Sequence, residues 1–250
     1  MNIKNNKEKL LTIVILPIMW LIYFAFEIVT GRVKDFYTLI VNLLLTLLFA
    51  LTGYIIYLLS KKYENGFKKI NVFKIFIVLM IIEQGIKIII KKYFFNDYFE
   101  LIPGFLSFDP IINTEGSWLN ARFGAGVGFS TLIILNVISL FLFYAVYKFY
   151  LSRNDKSFWV DISFLFILSG AFCSLIDKVF YGGSLDYIGI SNLFIADLKD
   201  IYINIGLFSL ILLLYKIDYF KEDDSSLKDD FKLFKEFLSY IKNDLLKINK

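Results

Sequence analysis

Six stretches of apolar residues run through this chain, each close to the ~20 residues needed to cross a ~30 Å hydrocarbon layer, and short lysine-rich or aspartate-rich breaks separate them. No soluble fold can hide so many long apolar runs, so the bilayer is the solvent for most of the chain. The composition agrees: 58% of the residues are hydrophobic, against about 45–50% in soluble domains, and the mean hydropathy is +0.64. The expected spans are Leu10 to Thr30, Tyr37 to Ser60, Ile70 to Ile90, Val127 to Tyr150, Phe158 to Ile176 and Asp200 to Tyr219. Lys4, Lys7 and Lys9 precede the first run as they would in a secretory leader, but Glu27, Arg32 and Lys34 follow it where small residues of a cleavage site would stand; it reads as a retained helix.

Basic residues set the orientation. Lys4, Lys7 and Lys9, then Lys61, Lys62, Lys68 and Lys69, then Lys148, Arg153 and Lys156, and finally the lysine-rich tail, all fall on one side. The excess of Lys and Arg marks that side as cytoplasmic, with both termini on it. Because the lysines are explained by topology, the net charge of +4 implies no nucleic-acid partner. The opposite side receives a long segment, Lys91 to Gly126, and a second one, Asp177 to Lys199. The first carries Pro103, Pro110 and short apolar patches and reads as a small extended or β-like structure able to cap a site at the membrane surface. The tail from Ser225 places Leu227, Phe231, Phe234, Leu238, Ile241 and Leu245 at helical spacing behind a capping pair, Ser226 and Asp229, and reads as a cytoplasmic amphipathic helix.

The available chemistry is narrow. Cys173 is the one cysteine, which excludes an internal disulfide and a multi-thiolate zinc site. The chain has no histidine, so acid–base work falls to Asp, Glu, Lys or Tyr. No cofactor or metal is called for. Polar groups beside apolar spans are costly and therefore functional candidates, and three clusters qualify. Glu83-Gln84-Gly85-Ile86-Lys87 puts Glu83 and Lys87 on one helix face, as a structural ion pair or as part of a site. Ile102-Pro103-Gly104-Phe105 with Asn113 is an ordinary turn or a site element. The third cluster runs from Gly170 through Ser174, Asp177 and Lys178, then Leu185-Asp186-Tyr187-Ile188, then Asp197-Leu198-Lys199-Asp200. Two carboxyls brought within a few ångströms there could share a proton and activate water, while Asp and Gly are also common loop residues.

These motifs resemble the signal peptidase II, or lipoprotein signal peptidase, family. Its Asp-Gln-x-x-Lys motif is similar to Glu83 through Lys87, its Ile-Pro-Gly-Phe turn and following Asn to Ile102 through Phe105 and Asn113, and its Gly-Asn-x-x-Asp-Arg motif to Cys173 through Lys178. Its Val-x-Asp-Phe-Ile motif resembles Leu185 through Ile188, and its Asn-x-x-Asp motif with a Gly six residues on resembles Asp197 through Asp200 with Gly206. The resemblance implies an all-α polytopic membrane protein with a four-helix transmembrane core over 66–220, here extended by an N-terminal helix pair, 1–65, and a tail, 221–250. It implies an aspartic endopeptidase with catalytic Asp186 and Asp200, supported by Asp177, Asp197, Asn113, Glu83, Lys87, Ser174 and Lys178. The implied partners are a diacylglyceryl-modified prolipoprotein, membrane lipid and globomycin-like inhibitors, in a bacterial cytoplasmic membrane. Ser174, Lys178, Asp197 and Glu83 depart from the family's Asn, Arg, Asn and Asp. The alternative is a non-catalytic membrane protein that binds lipoproteins or lipid.

Overall fold

The computed structural model describes residues 2–116, 118–217 and 227–245. Its long helices are α1 (Asn2–Val29), α2 (Phe36–Lys62), α3 (Lys69–Ile89), α5 (Phe129–Arg153), α6 (Phe158–Phe180) and α7 (Leu198–Lys216), with a short α4 (Trp118–Phe123) and an outlying α8 (Leu227–Tyr240). Five of them, α1, α2, α5, α6 and α7, are long and apolar enough to cross a membrane. The sixth expected span, α3, has the length, about 31 Å at 1.5 Å per residue, but carries Lys74, Glu83 and Lys87 within its apolar run. Membrane character is written on the surface as well. Leu44, Leu47, Leu48, Leu51 and Ile55 of α2 and Ile134, Leu135, Val137 and Ile138 of α5 are exposed side by side, an apolar area that soluble proteins do not present to water.

Helix boundaries follow from local chemistry. Asp35 caps α2 by accepting from the Thr38 amide at 2.8 Å, and Ser157 accepts from the Val160 amide to cap α6. At α7 the capping is reciprocal: Asp197 accepts from the Asp200 amide at 3.2 Å, and Asp200 accepts from the Asp197 amide at 3.3 Å. This arrangement satisfies two amide donors that a helix start leaves open.

Helices α6 and α7 pack closely. A Cβ on Gly206 would lie 2.8 Å from the Ile167 amide nitrogen, so only glycine lets the two backbones come this near. Trp159, Phe208 and Leu212 fill the adjoining core, joined by Leu16 of α1 and Ile56 of α2. At one end of the bundle Glu8 meets Lys61 at 2.9 Å, Lys216 at 3.1 Å and the Trp159 indole at 3.3 Å, tying α1, α2, α6 and α7 together.

The two segments at the other end form one four-stranded antiparallel sheet, in the order β1 (Phe99–Ile102), β2 (Leu106–Asn113), β3 (Ser184–Ile190), β4 (Phe194–Ala196). The expected extended structure is therefore present, and the second segment supplies half of it. β2 and β3 pair with Asn113 opposite Ser184 and Ile111 opposite Asp186, and Leu185 and Tyr187 pack with Ile90 under the sheet. Several boundaries differ from the expected ones, with α1 starting at Asn2 and α5 ending at Arg153, and two of the differences bear on the site. α6 continues to Phe180, which makes Asp177 and Lys178 helical, and α7 begins at Leu198. The tail helix α8 lies along the end of α5, where Phe149 touches Phe237 and Tyr240 and Arg153 meets Glu236 at 2.6 Å. Ser226, half of the expected capping pair, lies outside the described residues, as does Tyr219 at the expected end of the last span.

Because the α6–α7 contact leaves no room at Gly206, Gly206→Val should destabilise the bundle by about 1–3 kcal/mol through overpacking. A lowered midpoint of thermal unfolding in detergent, with helix content retained at low temperature, is the expected observation.

Candidate active site

The polar residues singled out in the sequence converge where the C-terminal parts of α3 and α6 and the start of α7 meet β3. In the deeper layer Lys87 is fully buried, and its ammonium contacts Glu83 at 2.7 Å, Asp177 at 2.5 Å and Asp197 at 2.5 Å. Glu83 lies one turn before it on α3, and the other two carboxylates arrive from α6 and from the cap of α7. Gln84, the next residue on α3, donates to Asp177 at 3.3 Å. All four charged groups are wholly buried, an arrangement that costs several kcal/mol per ion unless each is paired. One ammonium facing three carboxylates supplies that pairing.

The upper layer is built around Lys199. Its ammonium lies 2.6 Å from Asp197, 2.7 Å from the Ser184 hydroxyl, 3.5 Å from Asp186, 3.7 Å from Asp200 and 3.9 Å from Asp177. Ser184 donates to Asp186 at 2.5 Å, and Asn113 donates to the other Asp186 oxygen at 3.1 Å. The strand pairing dictates these bonds: Asn113 and Ser184 are register partners, and Asp186 lies two residues further along, on the same face as Ser184. Carboxylate oxygens of Asp186, Asp197 and Asp200 all lie within 4.8 Å of one another. Asp186 is buried, whereas the Asp200 side chain is 44% exposed at the rim.

Electrostatics separates the carboxyls. Burial pushes the Asp186 carboxyl above the usual range, with Lys199 pulling against it and Asp197 adding to it. For Asp197 burial acts upward as well, but Lys199 and Lys87 together outweigh it and hold that carboxyl below its ordinary value, ionised. Two carboxylate triads, Glu83 with Asp177 and Asp197, and Asp186 with Asp197 and Asp200, are compact enough to grip a cation. In each, a lysine ammonium already stands among the donors and offsets part of the negative charge from within.

Of the residues named from the sequence, Glu83, Lys87, Asp177, Asp197, Asp186, Asp200 and Asn113 come together. Ser174 and Lys178 bond chiefly to each other, the Lys178 ammonium lying 2.6 Å from the Ser174 hydroxyl one turn back. The turn at Pro103 and Gly104 joins β1 to β2 and is held from outside the site by Tyr37, whose hydroxyl donates to the Pro103 carbonyl at 3.0 Å. Sequence reasoning missed Ser184 and Lys199. For Lys199 a signal was present: a lysine in the first turn of a helix opposes the helix dipole.

Long apolar helices with buried carboxylates gathered beside a small sheet at one end define a multi-pass membrane protein with a buried acidic cluster. The family model described as Signal peptidase (SPase) II matches residues 75–216. Similar proteins include a lipoprotein signal peptidase of Microcystis aeruginosa, 32% identical over 151 residues, covering 58% of this chain and 93% of that one. One from Streptococcus thermophilus is 28% identical, covering 48% of this chain and 76% of its own length. Among solved structures, a bacterial membrane enzyme determined by the in meso method at 2.3 Å resolution superposes with a TM-score of 0.53 at 21% identity, covering 66% of this chain and 98% of that one, which supports the fold. The chain belongs to the signal peptidase II family, the lipoprotein signal peptidases, and is a multi-pass membrane protease of bacterial type.

Since one buried ammonium is in contact with three buried carboxylates, Lys87→Met should cost about 3–5 kcal/mol of stability, the penalty for stranding buried charge. Thermal or denaturant unfolding of the purified protein should show it, and an unchanged midpoint would mean that Lys87 does not hold the cluster together.

Proposed function

We propose that this chain removes signal peptides from diacylglyceryl-modified prolipoproteins by an aspartyl mechanism, with Asp186 and Asp200 as the reacting pair. The observation that carries this reading is their approach, with carboxylate oxygens within 4.8 Å of each other, where β3 meets the start of α7. Like charges at such a separation disfavour double ionisation, so one carboxyl keeps a proton while the other is a base. The pair titrates as a unit.

The signal helix of the substrate lies among the core helices and its acyl chains stay in the bilayer, where each buried CH₂ contributes about 0.8 kcal/mol. The ionised carboxylate takes a proton from water as the water oxygen attacks the carbonyl carbon preceding the lipidated Cys, and the protonated partner donates to the carbonyl oxygen. Collapse of the tetrahedral intermediate breaks the C–N bond: the proton gained from water passes to the departing amine, and a hydroxyl of the intermediate returns its proton to the partner carboxylate as the carboxyl product forms. Asn113 and Ser184 orient Asp186 through their hydrogen bonds. Asp177, Asp197, Glu83 and Lys87 anchor the base of the site, and Ser174 and Lys178 line its edge. The segment from 91 to 126 covers the substrate, and the basic residues orient the protein with both termini in the cytoplasm and this site at the outer face.

Asp186→Asn and Asp200→Asn should each lower cleavage of a lipidated prolipoprotein by roughly 10²–10⁴-fold with folding retained. Full cleavage in either variant refutes the assigned pair, and binding of intact substrate without release in the wild type favours a non-catalytic binder. The wild-type rate should follow a bell with pH. It falls on the acid side as the second carboxyl is protonated, and on the alkaline side as the last shared proton leaves. Burial raises the Asp186 carboxyl and so carries that alkaline limb above the ordinary carboxylate range.

A further inference from the structure

Lys199 occupies a place where a cation is doubly disfavoured. It is the second residue of α7, where the helix dipole is positive, and its side chain is only 8% exposed. It is held there by carboxylates. The charged groups facing it are Glu83 and Lys87 from α3, Asp177 and Lys178 from α6, Asp186 from β3, and Asp197 and Asp200 from its own helix start. Asp197 and Lys199 form a 2.6 Å ion pair, so together they add no net charge to the site. What they add is direction, because the ammonium end of that pair reaches one oxygen of Asp186 and one of Asp200, at 3.5 and 3.7 Å.

We propose that Lys199 is a positioning residue of the reaction, an ammonium bridge that holds Asp186 and Asp200 at a fixed separation and sets how readily the pair gives up its shared proton. The inference rests on the aspartyl reading above. A positive charge between two carboxyls favours their ionised forms and offsets the repulsion that makes them share a proton. Burial acts on Asp186 in the opposite sense, and Lys199 is the strongest influence opposing it. The bridge thus brings a deeply buried carboxyl back toward neutral-pH chemistry, without metal or histidine. Asp197 is the counterweight: it fastens the ammonium, and its own negative charge pushes the pair the other way.

The test uses the full chain purified in detergent, with the variants Lys199→Met, Lys199→Arg, Asp197→Asn and the charge-balanced double variant Asp197→Asn/Lys199→Met. Two readouts are taken against pH: kcat and KM for a diacylglyceryl-modified prolipoprotein, and the infrared band of protonated carboxyl groups. Lys199→Met should move both the alkaline limb and the loss of the band upward by about 1–3 pH units, acting on kcat more than on KM. The double variant should move them upward by less, Asp197→Asn alone should move them downward, and Lys199→Arg should restore the wild-type profile. Because the double variant strands no charge, it remains informative if Lys199→Met fails to fold. Band and limb at or below the wild-type pH in the folded Lys199→Met and double variants would overturn the proposal. A band that moves as expected in a protein that cleaves nothing, wild type included, supports the bridge and refutes the peptidase reading on which its catalytic role rests.

Discussion

The architecture of the site depends on one buried ammonium. Lys87 lies in a helix that must pass through or beside hydrocarbon, where an isolated charge is among the most costly things a chain can carry. Its contacts with Glu83, Asp177 and Asp197 at 2.5–2.7 Å turn that cost into a constraint: α3, α6 and the cap of α7 must meet at one point and in one register. Apolar packing alone would not specify this. Helices in lipid slide past one another at little expense, since neighbouring side chains and lipid tails are equally apolar, and polar contacts and close small-residue packing pin them. Here Lys87 pins one end, while the Gly206 contact between α6 and α7 sets the distance along the bundle.

From that pin the positions of the other carboxyls follow by local rules. The reciprocal cap at the start of α7 is at once a helix terminus and part of the site: Asp197 satisfies the Asp200 amide, receives Lys87 and receives Lys199, while Asp200 accepts from the Asp197 amide and holds its other oxygen at the rim, 3.7 Å from the Lys199 ammonium. Asp186 comes from a different kind of element. A strand alternates its side chains, so pairing β3 with β2 points Ser184 and Asp186 the same way and sets Asn113 across from them. A strand paired within a sheet and a capped helix start are both rigid, and two carboxyls carried by such elements are held at a fixed separation.

The N-terminal pair is fastened to the same end of the molecule. Asn42 of α2 donates to the Ser191 hydroxyl at 2.9 Å, Arg32 reaches the Asn192 carbonyl at 3.2 Å, and the fully buried Glu27 at the end of α1 pairs with Arg122 of α4 and lies 3.6 Å from Arg32. Ser191 and Asn192 both adopt positive φ in the turn between β3 and β4, a conformation that needs outside support. The helices α1 and α2 therefore brace the strand turn that follows Asp186 by a few residues. This gives the pair a mechanical connection to the site, although it lies outside the matched residues 75–216.

How much of this could be read from the sequence depends on the range of the interaction. Apolar runs of membrane-spanning length are local and survive without knowledge of any partner, which is why five of the six expected spans meet the criteria of a crossing helix and the sixth is helical in place. The pairing of Glu83 with Lys87 is also local, one helical turn. The meeting of Asp186 with Asp200 is not, since a strand, a turn and a cap intervene; it was legible only because motif spacing resembled a known family. Where that guide said nothing, the reading stopped. Lys199 fell in an unspecified position between two aspartates, and Ser184 looked like a loop residue because the second outer segment showed no strand pattern of its own. β3 exists because β2 supplies its partners, and a strand whose formation depends on a segment more than seventy residues away leaves little local trace. The residues whose charge made them awkward, a lysine in a helix's first turn above all, are those that three-dimensional contact explains. A local misfit of this kind is the most informative thing a sequence of this class offers.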